Sequence, residues 1–91
     1  MITTIVLVKA SPRNIPECAK RLAAIEGVTD VYSVSGEWDL VAIVKVPQYD
    51  DIARIVTEQF PAVPGLERTT TLTAFKAYSR ADLEQGWDVG A

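Results

Sequence analysis

The sequence predicts an α+β sandwich, a four-stranded antiparallel sheet with two helices on one of its faces. Three observations lead there. The apolar residues change period along the chain, from short β-branched runs to the 3.6-residue spacing of helices and back, and they do so twice. Proline or glycine stands near most of these changes, at Pro12, Gly27, Pro47 and the PAVPG stretch of 61–65. Between the second and third strand-like runs there is no helical pattern, only Gly36-Glu37, which is the length of a tight hairpin loop.

Residues 2–10, ITTIVLVKA, are β-branched and compact, and Ser11-Pro12 breaks them, so they read as the first strand. Ile15, Cys18, Ala19, Leu22 and Ala23 then fall at helical spacing, with Arg13, Glu17, Lys20 and Arg21 on the other side. Asn14 suits the N-cap, Pro16 the first turn and Glu17 the third position after the cap. Gly27 is expected to end this helix. Cys18 is a small core-facing filler in this pattern, with a reactive thiol as the other reading. Residues 28–35 alternate loosely around Val31, Tyr32 and Val34, and residues 38–46 form a third strand that Pro47 closes. Asp50, Ile52, Ile55, Val56, Gln59 and Phe60 give a second amphipathic helix, with Asp50 and Asp51 as its caps. Residues 66–79 read as a long, Thr-rich final strand, and 80–88 as one short helical turn whose Leu83 and Trp87 pin the tail.

The order is β-α-β-β-α-β. Two crossovers around a central hairpin give the split βαβ, or ferredoxin-like, sandwich. One domain spans residues 1–80, and 81–91 form a C-terminal tail.

Two helices can cover only one face of such a sheet, yet its strands are apolar on both. In the third strand Leu40, Ala42, Val44 and Val46 point one way, while Val41 and Ile43 point the other. In the first, Ile2, Val6 and Val8 oppose Ile5 and Leu7. A half-solvated antiparallel sheet alternates apolar with polar instead. Covering several hundred Å² of this kind is worth ~10 kcal/mol before association costs. A tail carrying Leu83 and Trp87 is too small for that task. The expectation is an obligate homodimer, sheet against sheet, in the manner of a dimeric α/β barrel.

Several classes are disfavoured. The net charge is −3, and among nine basic residues only Lys20-Arg21 are adjacent, which argues against a nucleic-acid surface. A single cysteine allows no disulfide framework. The absence of histidine removes the commonest general base and the commonest metal ligand, so neither enzymatic turnover nor a metal or cofactor is expected. The apolar N-terminus is too short to span a membrane and lacks a basic start, which makes the cytoplasm the expected location.

The stretch V-Y-S-V-S-G-E-W-D-L-V (31–41), followed by P-G-L-E-R-T-T-T-L (64–72), resembles the effector-binding domain of the Lrp/AsnC feast/famine transcription regulators, also called the RAM domain. Gly36, Trp38 and Asp39 fall on that family's hairpin pattern, and Pro64, Gly65, Thr69 and Thr71 on its turn and Thr-strand pattern. Trp38 stands where Tyr is commoner, and Leu66 where Val or Ile is usual. The resemblance covers nearly all of residues 1–80. Family members usually carry an N-terminal helix-turn-helix domain, whereas this sequence begins with the first strand. It is thus similar to members that keep only the sensing domain, and direct DNA binding is not expected. The resemblance implies an oligomeric sensor of a free amino acid or similar small metabolite. Its dimers would assemble further, into an octamer, and act through assembly state or through contact with full-length regulators of the family.

A free amino acid presents an ammonium and a carboxylate on one carbon, so its site needs an acceptor, donors and a shaped wall. Asp39 can pair with the ammonium. Backbone N–H groups around Gly36 and Glu37 can donate to the carboxylate, because glycine permits close approach. Thr69 and Thr71 sit two apart on one strand and share a face. The resemblance implies that Ser35, Gly36, Glu37, Trp38, Asp39, Thr69 and Thr71 line an effector cleft between dimers. Other readings stand beside this one. Asp39 would also serve as a turn-stabilising acceptor, Trp38 as an interface aromatic, Glu37 as a solvated turn residue and the Thr pair as plain β-formers.

Two further functions share the element order. An ACT-type amino-acid-binding module usually carries its Gly-containing ligand turn after the first strand, where this chain reads A-S-P-R-N. A dimeric α/β-barrel monooxygenase or isomerase needs buried polar groups, where this sheet is nearly all aliphatic.

Overall fold

The computed structural model describes residues 1–80. Its strands are β1 (Ile2–Ala10), β2 (Val28–Ser33), β3 (Leu40–Val46) and β4 (Leu66–Thr73). They form one antiparallel sheet in the order β2-β3-β1-β4. A 3₁₀ turn, Pro12–Asn14, leads into α1 (Ile15–Ala23). Helix α2 (Tyr49–Arg54) continues as a π-helical turn, Ile55–Gln59. The architecture is the α+β, ferredoxin-like sandwich.

The residues apolar on both sides occupy the two central strands. Along β1 the side chains alternate between buried (Thr4, Val6, Val8, Ala10) and half-buried (Thr3, Ile5, Leu7, Lys9). Along β3 Leu40, Ala42, Val44 and Val46 are buried and Val41 and Ile43 half-buried. The buried set meets Cys18 and Leu22 of α1 and Ile52, Ile55 and Phe60 of the second helical segment, in a single core. Cys18 is fully buried, and burial pushes its thiol pKa up, which suits the filler role.

Element ends differ from the sequence reading, each for a physical reason. The β2–β3 connection is six residues, 34–39, rather than two, because both strands leave the ladder early. Strand β4 stops at Thr73 rather than residue 79 because its partner runs out: the Ala74 N–H donates to Thr3 O (3.0 Å) at the start of β1. Helix α1 ends at Ala23, short of Gly27. Gly27 instead lies in the turn just before β2, with φ +101°, where a Cβ would come within 2.9 Å of Ile55 Cδ1. Asn14 occupies the N-cap position of α1 but makes no side-chain cap bond. The N-cap of α2 is Gln48, with Asp50 and Asp51 in the first turn, where the helix dipole favours carboxylates. The tail turn expected around Leu83 and Trp87 lies outside the described residues.

Thr4 is the one buried polar residue of the described core, and its Oγ1 finds no hydrogen-bond partner among the described residues. Thr4→Val replaces that hydroxyl with a methyl of similar shape. It is expected to raise stability by about 1 kcal/mol. For a domain of this size that is a melting point ~4–8 °C higher in thermal denaturation. A lower melting point would mean that the hydroxyl is satisfied in solution.

The other face of the sheet carries no element among the described residues. Register aligns Tyr32, Val41, Leu7 and Thr70 in one row and Ile43, Ile5 and Leu72 in the next. Tyr32 is 55% exposed and Leu72 47%.

Candidate functional site

The loop 34–39 does not stand away from the sheet. The Val34 N–H donates to Asp39 O and the Asp39 N–H to Val8 O, both at 3.0 Å, closing the loop onto the end of β1. The last β1–β3 pair is Val8 with Leu40, so the Ala10 N–H lies two residues beyond the ladder. Asp39 Oδ2 accepts that N–H at 2.9 Å. The carboxylate thereby replaces the carbonyl that a continued strand would have offered. Lys9 Nζ lies 3.9 Å from the same oxygen and donates to Glu37 O at 2.8 Å.

The loop then reaches a third strand. Glu37 Oε1 is 3.9 Å from Arg68 Nη2, and the Arg68 guanidinium lies 5.0 Å from the centre of the Trp38 ring. Strand β4 is separated from β3 by β1, so these side-chain contacts span the width of β1. Gly36, at φ +106°, is the residue that allows the turn, and a Cβ there would meet open space. Ser35, Gly36 and Glu37 are exposed, while Trp38 and Asp39 are half-buried.

The hairpin residues Ser35 to Asp39 are therefore gathered at one end of the sheet. Thr69 and Thr71 share a face with each other, opposite Val8 and Val6, and that is the helix-covered face. The Lys9 and Arg68 group lies on the open face. Within one protomer the two hydroxyls and the Asp39 group are thus on opposite sides of the same sheet end. The sequence did not show that Lys9 and Arg68 join the hairpin residues at this sheet end. Lys9 lies between Val8 and Ala10 and Arg68 between Glu67 and Thr69, and only the β1–β4 register sets the two directly opposite one another.

Two surface hollows, of about 430 and 560 Å³, lie at the other end of the sheet, and the loop residues are not among their walls. Among the described residues no group of three His, Cys, Asp or Glu is placed to hold a metal ion.

The chain is a small α+β domain with a charged hairpin folded over one sheet end. The chain belongs to the Lrp/AsnC family: residues 3–83 match the Lrp/AsnC ligand binding domain. An uncharacterised HTH-type transcriptional regulator of Pyrococcus furiosus is 32% identical over 76 residues, covering 80% of this chain and 51% of that protein. Another, from Pyrococcus horikoshii, is 37% identical over 59 residues, covering 65% of this chain and 39% of that protein. The chain thus spans about half the length, or less, of these curated relatives. A crystal structure of a Thermus thermophilus protein superposes with a TM-score of 0.82 at 38% identity, over 88% of this chain and all of that one. A transcriptional regulator of Neisseria meningitidis, solved as an L-Met complex, shares the fold at a TM-score of 0.76 and 12% identity, over 87% of this chain and 53% of that one.

Proposed function

We propose that this domain senses a free amino acid or similar zwitterion at the hairpin 35–39, without catalysis, and transmits occupancy through its state of assembly. The observation that carries this reading is Asp39. Its carboxylate is held in place by the Ala10 N–H (2.9 Å), beside a glycine whose vicinity is open. The Asp39 side chain keeps 22% of its surface exposed, and on this reading that is where a small ammonium approaches. Gly36 and Glu37 supply backbone donors, and Ser35 and Trp38 flank the approach. Thr69 and Thr71 complete the cleft from a neighbouring protomer, since within one chain they lie across the sheet from Asp39. The L-Met complex of the Neisseria regulator supports an amino acid as ligand class.

The open apolar face supports dimerisation sheet against sheet, and on this reading the hairpin lies between dimers in a higher assembly such as an octamer. Full-length HTH-type relatives are the proposed protein partners, in the cytoplasm. No described helix is long and apolar enough to cross a membrane.

A thermal-shift screen of the twenty amino acids tests the reading, because a ligand selective for the folded state raises stability by mass action. A ligand present at 100 times its Kd is expected to add about 2.7 kcal/mol. A flat response to all twenty would sink the amino-acid reading.

A further inference from the structure

We propose that Lys9 and Arg68 form the carboxylate-binding half of the effector site. The inference rests on the hairpin reading above and goes beyond it. It assigns the ligand's second charged group to two side chains and predicts what the site rejects.

Lys9 and Arg68 are direct cross-strand partners on the open face of the sheet. Like charges placed opposite each other destabilise a strand pair unless something neutralises them. Each has one acidic neighbour, Asp39 for Lys9 and Glu37 for Arg68, and both separations are 3.9 Å. Both ion pairs are thus long and carry no hydrogen bond between the charged groups; the bond Lys9 makes is to the Glu37 backbone O, at 2.8 Å. The Arg68 side chain is 62% exposed and rests on Trp38. It is free to turn its planar fork toward a carboxylate, which that fork matches with two parallel bonds.

The charge count points the same way. Lys9 and Arg68 balance Asp39 and Glu37, so the cluster has no net formal charge and suits a ligand with none. An α-amino acid is such a ligand. Its ammonium and carboxylate sit on one carbon, and here the acceptor Asp39 and the donor Lys9 are neighbours. With Asp39 alone the site would accept any small amine. With the cationic pair beside it, the site demands the carboxylate as well.

The test uses the full chain, with the twenty amino acids and their amides as probes in thermal-shift titrations. An amide keeps the ammonium and loses the negative charge. Wild type is expected to bind at least one amino acid about tenfold or more tightly than its amide, and Arg68→Gln to bind the two nearly equally. Arg68→Lys is expected to restore part of the preference, because charge returns without the fork. Ligand that draws Arg68 off Trp38 should also change the indole emission in wild type and not in Arg68→Gln. If Arg68→Gln keeps the full preference while Asp39→Asn loses binding, the hairpin reading stands and this proposal falls. If wild type binds no amino acid, both fall.

Discussion

Analytical ultracentrifugation is expected to show the wild-type protein as a dimer or larger at micromolar concentration, and Leu7→Glu as a species whose self-association is weakened about a hundredfold to ten-thousandfold. Leu7 sits mid-sheet on the open face, in register between Val41 and Thr70. It points away from the helices, so the substitution leaves the protomer's own core intact. In a two-fold interface the same residue enters from both copies. Two carboxylates are then desolvated together, and an uncompensated buried charge costs ~3–5 kcal/mol. Circular dichroism of Leu7→Glu should still show the α+β fold. A folded 9.9 kDa wild-type species would refute the dimer, as would unchanged association of Leu7→Glu.

The second large effect is expected at Asp39. Asp39→Asn keeps the size and an oxygen acceptor for the Ala10 N–H but removes the charge that pairs with an ammonium. A charge-assisted bond is worth ~1.5–3 kcal/mol, so amino-acid affinity should fall about tenfold to a hundredfold. Without ligand the melting temperature should barely move, because the strand-end bond survives. Asp39→Ala separates the two roles from the other side. It leaves the Ala10 N–H without its partner, at a cost of about 1–3 kcal/mol. Lost stability in Asp39→Asn with unchanged affinity would make Asp39 a structural acceptor only.

Much of the fold was legible because its signals are local. Strand β1 matches the expected residues 2–10, since a β-branched run bounded by Ser11-Pro12 leaves little choice. The two faces of β1 and β3 were also legible, because alternation needs no knowledge of partners. The misjudged ends share a different cause. Residues 74–79, 34–35 and 38–39 read as continuations of their strands, but a strand persists only where a neighbour continues the ladder. At one end β1 begins at Ile2, just past the Thr3 O that takes the Ala74 N–H, and at the other Asp39 gives its side chain to Ala10 in place of a carbonyl. The site was legible to the same extent. Gly36 and Asp39 stand in one short motif, whereas Lys9 and Arg68 meet only through a register between the first and last strands of the sheet.

The π-helical turn gives a last consequence. The Phe60 N–H donates to Ile55 O, five residues back, at 2.9 Å, and both side chains are fully buried. The widened turn holds one residue more than a regular helix would place between those two anchors. Removing a residue from 55–59 would restore ordinary helical bonding but swing Phe60 about 100° around the axis, out of the core. Chain length in this segment therefore acts as an angular setting, and a deletion there should harm the protein more than most substitutions at its exposed positions.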